Sequence, residues 1–392
     1  MRYRKFKADY LFTGEALLNS DNVLITTENG EIKEILNTKD AGENIEILNG
    51  IISPGFVNAH CHIELSHLKN KIPEKTGLVD FVFKVVSERH FEEKEIIDSI
   101  ANAENEMWQN GIIAVGDICN NSLSASQKTK QNLQYYNFIE TTGWLPAIAK
   151  SRFEKSKVIY DEFVRNNFKA SIVPHAPYSV SENLWKEMMP YFKGKTISIH
   201  NQESPEEDLF FLEAKGDFTK MYKMMNIDNS FYKARKIRSV GSYFEKLSSA
   251  ASVILVHNTF TKQEDLDFIN QTKNKKQLIS FCLCPNANLY IENTLPPVYL
   301  FIKNDVNIIL GTDSLASNHQ LNILEEIKTI AKNYPEIKTE TFLKWATMNG
   351  AQALQMNEEL GSFEKGKTPG IVLIENVEGG KINVASKIKR LL

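Results

Sequence analysis

The sequence predicts an α/β chain. A (β/α)8 barrel is expected over about residues 53–360, carrying a small β sandwich formed by both termini, residues 1–52 and 361–392. Three observations lead there. Eight short apolar runs alternate with helix-like stretches through the middle of the chain, the pattern of a parallel sheet covered on its faces. Strand-like segments sit at both ends of the chain. Metal-binding residue types close several of the apolar runs, at the strand ends where barrel active sites are built.

In order, residues 6–12 read as one strand, followed by residues 23–27. Asn29-Gly30 is a hairpin turn signal, and residues 31–36 continue with near alternation. Such strands need a partner to cover their apolar face. Residues 370–374 and 381–384, also strand-like, offer one from the other end of the chain.

The first barrel run, residues 51–57, leads into Asn58-Ala59-His60-Cys61-His62. Residues i and i+2 of a strand point to the same side, so His60 and His62 project together as half a metal site. The other runs are residues 112–117, 135–139, 170–175, 196–200, 253–257, 278–282 and 306–313. Helical periodicity is clearest in residues 91–110 and 340–354. Residues 209–250 form a long connection rich in aromatics, including Phe210, Phe218, Tyr222 and Phe231. It reads equally as a lid, as a helix packed on the barrel, or as both.

His60, His62, His175, His200, His257 and Asp313 stand at carboxyl ends of these runs. Five of the eight histidines fall there, whereas His67, His90 and His319 are expected in solvent or loops. Imidazoles with a carboxylate suit zinc or ferrous iron and suit magnesium or calcium badly. An open position would admit water, whose pKa the metal lowers to about 7. Glu203, three residues after His200, is placed to shuttle protons, in preference to the alternative of an exposed residue in the acidic loop that Glu206, Glu207 and Asp208 continue.

Lys+Arg 46 against Asp+Glu 49 gives a net charge of −3, which argues against nucleic acid as a partner. The four cysteines show neither disulfide nor zinc-finger spacing. No apolar leader and no run of about 18 apolar residues is present, so a soluble cytoplasmic setting is expected, with no membrane partner.

The sequence resembles the amidohydrolase superfamily, in its aminohydrolase branch of chlorohydrolases, guanine deaminase and S-adenosylhomocysteine deaminase. The matching pieces are Pro54-Gly55-Phe56-Val57-Asn58-Ala59-His60-Cys61-His62, Pro174-His175-Ala176-Pro177-Tyr178-Ser179, His200-Asn201-Gln202-Glu203, Val256-His257-Asn258, Cys284-Pro285-Asn286-Ala287-Asn288-Leu289 and Gly311-Thr312-Asp313-Ser314. The resemblance implies one divalent metal, zinc or iron, held by His60, His62, His200 and Asp313. It implies Glu203 as general acid/base and His257 as a hydrogen-bonding partner of the attacking hydroxide. His175, Glu64 and Ser314 are expected against the substrate.

The implied reaction is release of ammonia from a purine-like or nucleoside-type heterocycle by metal-bound hydroxide. The implied partners are that small molecule and a second copy of the chain. Ile63-Glu64-Leu65-Ser66 after the histidine pair is similar to the corresponding segment of aminodeoxyfutalosine deaminases. Amidases and lactonases of the superfamily usually place a bridging lysine at the end of strand 4, where this chain has His175, and Lys169 lies at the other end of that run. A silent scaffold on the same fold would have lost ligands that are all present here.

Overall fold

A computed structural model describes residues 3–392. The N-terminal part contains β1 (Tyr3–Lys7), β2 (Tyr10–Phe12), β3 (Leu17–Asn19), β4 (Asn22–Thr27), β5 (Ile32–Asn37), β6 (Glu46–Ile47) and β7 (Ile51–Pro54). The expected strand over residues 6–12 is two strands in two different sheets. The Asp9 carboxylate accepts the Gly50 N–H at 2.7 Å, and this contact turns the chain between them. The Asn29-Gly30 hairpin joins β4 to β5, with Gly30 at φ +83°, a region that glycine enters without penalty.

The apolar run of residues 51–57 also divides. Its first half is β7, and its second half opens β8 (Phe56–Cys61). Gly55 is the joint. A Cβ there would stand 3.0 Å from the Pro369 carbonyl oxygen and 3.1 Å from Ile113 Cγ1, so a side chain would block the close passage of the two sheets.

The chain ends with β16 (Ile371–Glu375) and β17 (Lys387–Arg390). Residues 381–384 are not a strand, because Asn383 folds them into a turn. Its Oδ1 accepts the Ala385 N–H, and its own N–H donates to Ser386 Oγ. One sheet has the order β5-β4-β1-β6 and the other β17-β16-β7-β2-β3. In the second, β16 lies antiparallel to β7, with Leu373 opposite Ile52, so both ends of the chain share it. Phe6, Leu24 and Ile32 from the first sheet pack with Leu11, Ile52 and Leu373 from the second.

All eight central runs are strands: β8, β9 (Ile112–Cys119), β10 (Gln134–Thr141), β11 (Lys169–Pro174), β12 (Thr196–Asn201), β13 (Ser252–His257), β14 (Leu278–Leu283) and β15 (Asn307–Leu310). They form two parallel sheets, β8 to β11 and β12 to β15. Hydrogen bonds cross between the sheets at both edges. His200 N–H donates to the His175 carbonyl at 2.9 Å, and the N–H groups of Thr312 and Asp313 donate to the His60 carbonyl at 3.1 Å. The helical stretch of residues 340–354 is broken at Thr347 (φ −128°, ψ −88°) into Thr339–Ala346 and Met348–Ala353.

A second apolar core lies over the carboxyl ends of the strands. Leu68 and Phe81 follow β8, Trp144 follows β10, Tyr178 follows β11, and Phe210, Phe218 and Tyr222 follow β12. The long connection contributes the helices Pro205–Glu213, Asp217–Met224 and Ser239–Tyr243, and it packs by burying those aromatics. Tyr178 stacks on Phe218 at 4.0 Å between ring centroids, and Trp144 on Tyr222 at 5.3 Å. Among the described residues, no helix is long and apolar enough to cross a membrane.

Candidate metal centre and catalytic site

Beneath this aromatic layer the strand ends bring His60, His62, His200 and Asp313 together. His60 Nε2 and His62 Nε2 are 3.2 Å apart. Asp313 Oδ1 lies 3.6 Å from the first and 3.4 Å from the second. One donor atom from each of His60, His62 and His200 falls within a 4.8 Å group. Tetrahedral bonds of about 2.0–2.1 Å would separate neighbouring ligand atoms by about 3.3–3.4 Å, so the spacing fits one divalent ion.

The donor chemistry fits as well. His200 Nδ1–H donates to the His175 carbonyl at 2.7 Å, which leaves Nε2 with its lone pair. Burial holds His60 and His200 below the ordinary histidine pKa and His62 at about 3, so all three imidazoles are neutral, the form that binds metal. Burial works to raise Asp313, but its hydrogen bond with His60 and the field of His62 outweigh that, and the carboxyl is held well below its usual range. Ser317 Oγ donates to Asp313 Oδ2 at 2.6 Å and leaves Oδ1 facing the histidines. Asp313 (φ 58°) and His257 (φ 72°) both occupy left-handed backbone, a strained conformation that concentrates at functional sites.

Glu203 and His257 form the second unit. Glu203 Oε1 lies 3.4 Å from His257 Nε2, and both residues are buried. Burial, with Asp313 nearby, raises the Glu203 carboxyl well above its usual range. His257 Nδ1–H donates to Asn288 Oδ1 at 2.8 Å, which fixes the tautomer and leaves Nε2 as acceptor towards Glu203.

The expected substrate-side residues are less alike. His175 is held at its Nδ1 by Ser179 Oγ at 2.9 Å, and its ring centre lies 4.7 Å from that of His200. Glu64 is buried, and its Oε2 accepts the Asn120 N–H at 3.0 Å, so one oxygen already serves a structural partner. Ser314 Oγ lies 3.1 Å from Ser317 Oγ. Lys169 is exposed at the start of β11, with its ammonium donating to the Gln355 carbonyl, remote from His175 at the other end of the strand. His67, expected in solvent or a loop, is instead buried. It sits in the 3-10 helix Ile63–Leu68, where Nε2–H donates to the Arg89 carbonyl and the ring packs edge-on against Phe91.

Two further residues enter the site that the histidine pattern did not single out. Asn288 lies on the first turn of the helix Pro285–Glu292. Glu140 lies near the end of β10, its Oε2 3.9 Å from His200 Nδ1, buried and without a hydrogen-bond partner. Burial lifts it to about 7. A polar residue closing an apolar run was the signal for the histidines, and the same signal read for carboxylates finds Glu140.

The donor set suits a divalent metal, and comparison with known proteins gives the family. The chain belongs to the amidohydrolase family, whose sequence pattern matches residues 51–389. It is 28% identical over 348 residues to an aminodeoxyfutalosine deaminase of Nitratiruptor, covering 84% of this chain and 80% of that one. It is 24% identical over 363 residues to a 5'-deoxyadenosine deaminase of Methanosphaera stadtmanae, covering 88% and 78%. Among solved structures, Helicobacter pylori aminofutalosine deaminase in complex with methylthio-coformycin superposes with a TM-score of 0.79 at 21% identity, over 96% of this chain and 93% of that one. A zinc-bound adenosine deaminase from Xanthomonas campestris gives 0.71 at 19% identity, over 95% and 84%. These structures share the fold.

Proposed function

We propose that the chain is a mononuclear metal-dependent deaminase that releases ammonia from the ring of an adenosine-like nucleoside. One observation carries it: the His257 ring of the Glu203–His257 pair lies 5.9 Å from the His60 ring and 5.5 Å from the His200 ring, beside the His60, His62, His200 and Asp313 donor set. The nucleoside class is supported by the names of the relatives, which are deaminases of 5'-deoxyadenosine and aminodeoxyfutalosine.

In this reading the two parallel sheets close as a (β/α)8 barrel over about residues 53–360, supported by the hydrogen bonds across both edges. Residues 1–52 and 361–392 form one β-sandwich domain, supported by their shared sheet. The metal is zinc, for which three imidazoles and a carboxylate are suitable ligands, as they also are for iron. The active form is a cytoplasmic homodimer.

A divalent ion of this kind lowers the pKa of water to about 7 and supplies a nucleophile at neutral pH. The protein's own residues do the rest. Glu203 takes a proton from the attacking water. It returns that proton to the exocyclic nitrogen as the carbon–nitrogen bond breaks, so water and an amino-substituted ring become a ring carbonyl and ammonia. The burial that raises Glu203 keeps its protonated form available for the second transfer. His257, held by Asn288, hydrogen-bonds the attacking oxygen and the tetrahedral centre. His175 contacts the ring. Glu64 offers its second oxygen to a substrate donor, and Ser314 its hydroxyl.

The test is ammonia release by the purified, zinc-loaded chain across adenosine, 5'-deoxyadenosine, methylthioadenosine, S-adenosylhomocysteine, aminodeoxyfutalosine, guanine, pterins and triazines. Turnover of an adenosine-type nucleoside is expected. Turnover of a free base or triazine alone would overturn the substrate class, and no ammonia from any of them would overturn the deaminase reading.

A further inference from the structure

A buried ion pair lies beside the metal strand and takes no part in the chemistry above. Lys128 Nζ is 2.5 Å from Asp117 Oδ2, and both side chains are about 1% exposed. The ammonium also donates to Asn137 Oδ1 at 2.7 Å and to Cys119 Sγ at 3.3 Å. Its three N–H donors thus meet three acceptors. The rings of Tyr135 and Phe163 flank it at 4.9 and 5.2 Å. Removing two charges from water costs free energy that their attraction only partly offsets, so a buried pair by itself is weak support for stability. What this pair does achieve is to lock the Asp117 carboxylate in one orientation.

The other oxygen of that carboxylate shows the consequence. Asp117 Oδ1 accepts the Ile63 N–H at 2.9 Å, from 54 residues along the chain. Ile63 follows His62 directly and opens the 3-10 helix Ile63–Leu68, whose N-cap residue makes no side-chain capping bond. An opening helical N–H needs an acceptor from elsewhere, and Asp117 supplies it. This hydrogen bond fixes the plane of the His62–Ile63 peptide and with it the backbone from which the His62 imidazole projects. The pair is therefore linked to the metal pocket through one peptide group.

We infer that Asp117 is a positioning residue that sets the affinity of the metal pocket by accepting the Ile63 N–H and so anchoring the peptide after His62. This rests on the metal reading above. The test compares two double variants that both delete the ion pair. Asp117→Asn with Lys128→Met keeps an acceptor oxygen for Ile63, whereas Asp117→Leu with Lys128→Met removes it. Zinc affinity is measured by chelator competition and thermal stability on the metal-free chains.

The asparagine variant should bind zinc within a few-fold of wild type. The leucine variant should bind about 10- to 100-fold more weakly, the usual effect of losing a group that orients a metal ligand. Asp117→Ala with Lys128→Met replaces the leucine variant should that one fail to fold. Glu104→Gln is the control for a purely structural role: Glu104 is a buried carboxylate that accepts from Tyr135, Asn132 and Gln127 and hydrogen-bonds neither Ile63 nor Asp117, so it should lower stability and leave zinc affinity unchanged. Equal zinc affinity in the two double variants, on a wild type that binds zinc, overturns this inference alone. A wild-type chain that bound neither zinc nor iron would overturn the metal reading and this inference with it.

Discussion

Asn288 offers the sharpest test of how the proposed catalytic pair, Glu203 and His257, is set. Its Oδ1 is the acceptor at 2.8 Å that keeps the proton on His257 Nδ1, and Nε2 then faces Glu203 at 3.4 Å. In Asn288→Leu the buried Nδ1–H has no partner, which costs about 1–3 kcal/mol. The imidazole escapes that cost by moving its proton to Nε2 or by rotating, and either response removes the acceptor. Charged against the transition state, about 1–3 kcal/mol lowers kcat by about 5- to 150-fold. Metal content should be unchanged, because Asn288 hydrogen-bonds none of the four proposed ligands.

Asn288→Asp keeps an acceptor at the same place and adds a charge that raises His257 from its burial-lowered pKa. Its kcat should approach wild type at alkaline pH, with the acidic limb of the profile shifted to higher pH. Steady-state kinetics on the nucleoside substrate, with metal analysis of each preparation, decides the matter. A leucine variant within two-fold of wild-type kcat would refute the orienting role, and a metal-free one would refute the division between ligands and catalytic pair.

Other perturbations probe the remaining assignments. Glu203→Gln should retain metal while kcat falls on the order of 10²- to 10⁴-fold, the range for general acid–base catalysis; near-normal turnover would require another proton carrier. His60→Ala should lose metal and activity together in metal analysis and ammonia assays. Gly55→Ala should cost about 1–3 kcal/mol of stability through overpacking against Ile113 and Pro369, and an unchanged urea midpoint would show that the joint can relax. Burial raises Glu326 from an ordinary 4.5 to about 8. The folded state therefore holds that proton more tightly than the unfolded chain does, and the resulting stability is complete below about pH 4.5 and lost as pH rises through 8. Between about pH 5 and 8, wild type should lose up to about 1.4 kcal/mol per pH unit more than Glu326→Gln. Parallel slopes in denaturant titrations would remove Glu326 as the titrating group.

How much could be read in the sequence follows from which forces are local. The central strands are legible because a parallel strand buried on both faces must be largely apolar, and β8 to β15 are, with Asn58, Asp117, Asn137 and Ser198 among the buried polar exceptions. His60, His62, His200 and Asp313 stand out because a polar residue ending such a run is unusual, and the structure gathers all four within one small space.

The breaks at Asp9 and Gly55 were not legible. The segments on either side of each have the same extended, apolar character, and only pairing with different sheets separates them. The turn at Asn383 was missed for the opposite reason: a single side chain capturing its own backbone overrides a short strand-like pattern.

The sequence by itself determined the eight central strands and which residue types close them, since both depend on neighbours a few positions away. Only the tertiary structure decided what each carboxylate does. Asp117 meets Ile63, Glu64 meets Asn120, and Glu140 keeps an unpartnered oxygen beside His200. A carboxylate's role is set by the donors that surround it in a dry interior, and here those donors come from other strands and the turns that follow them.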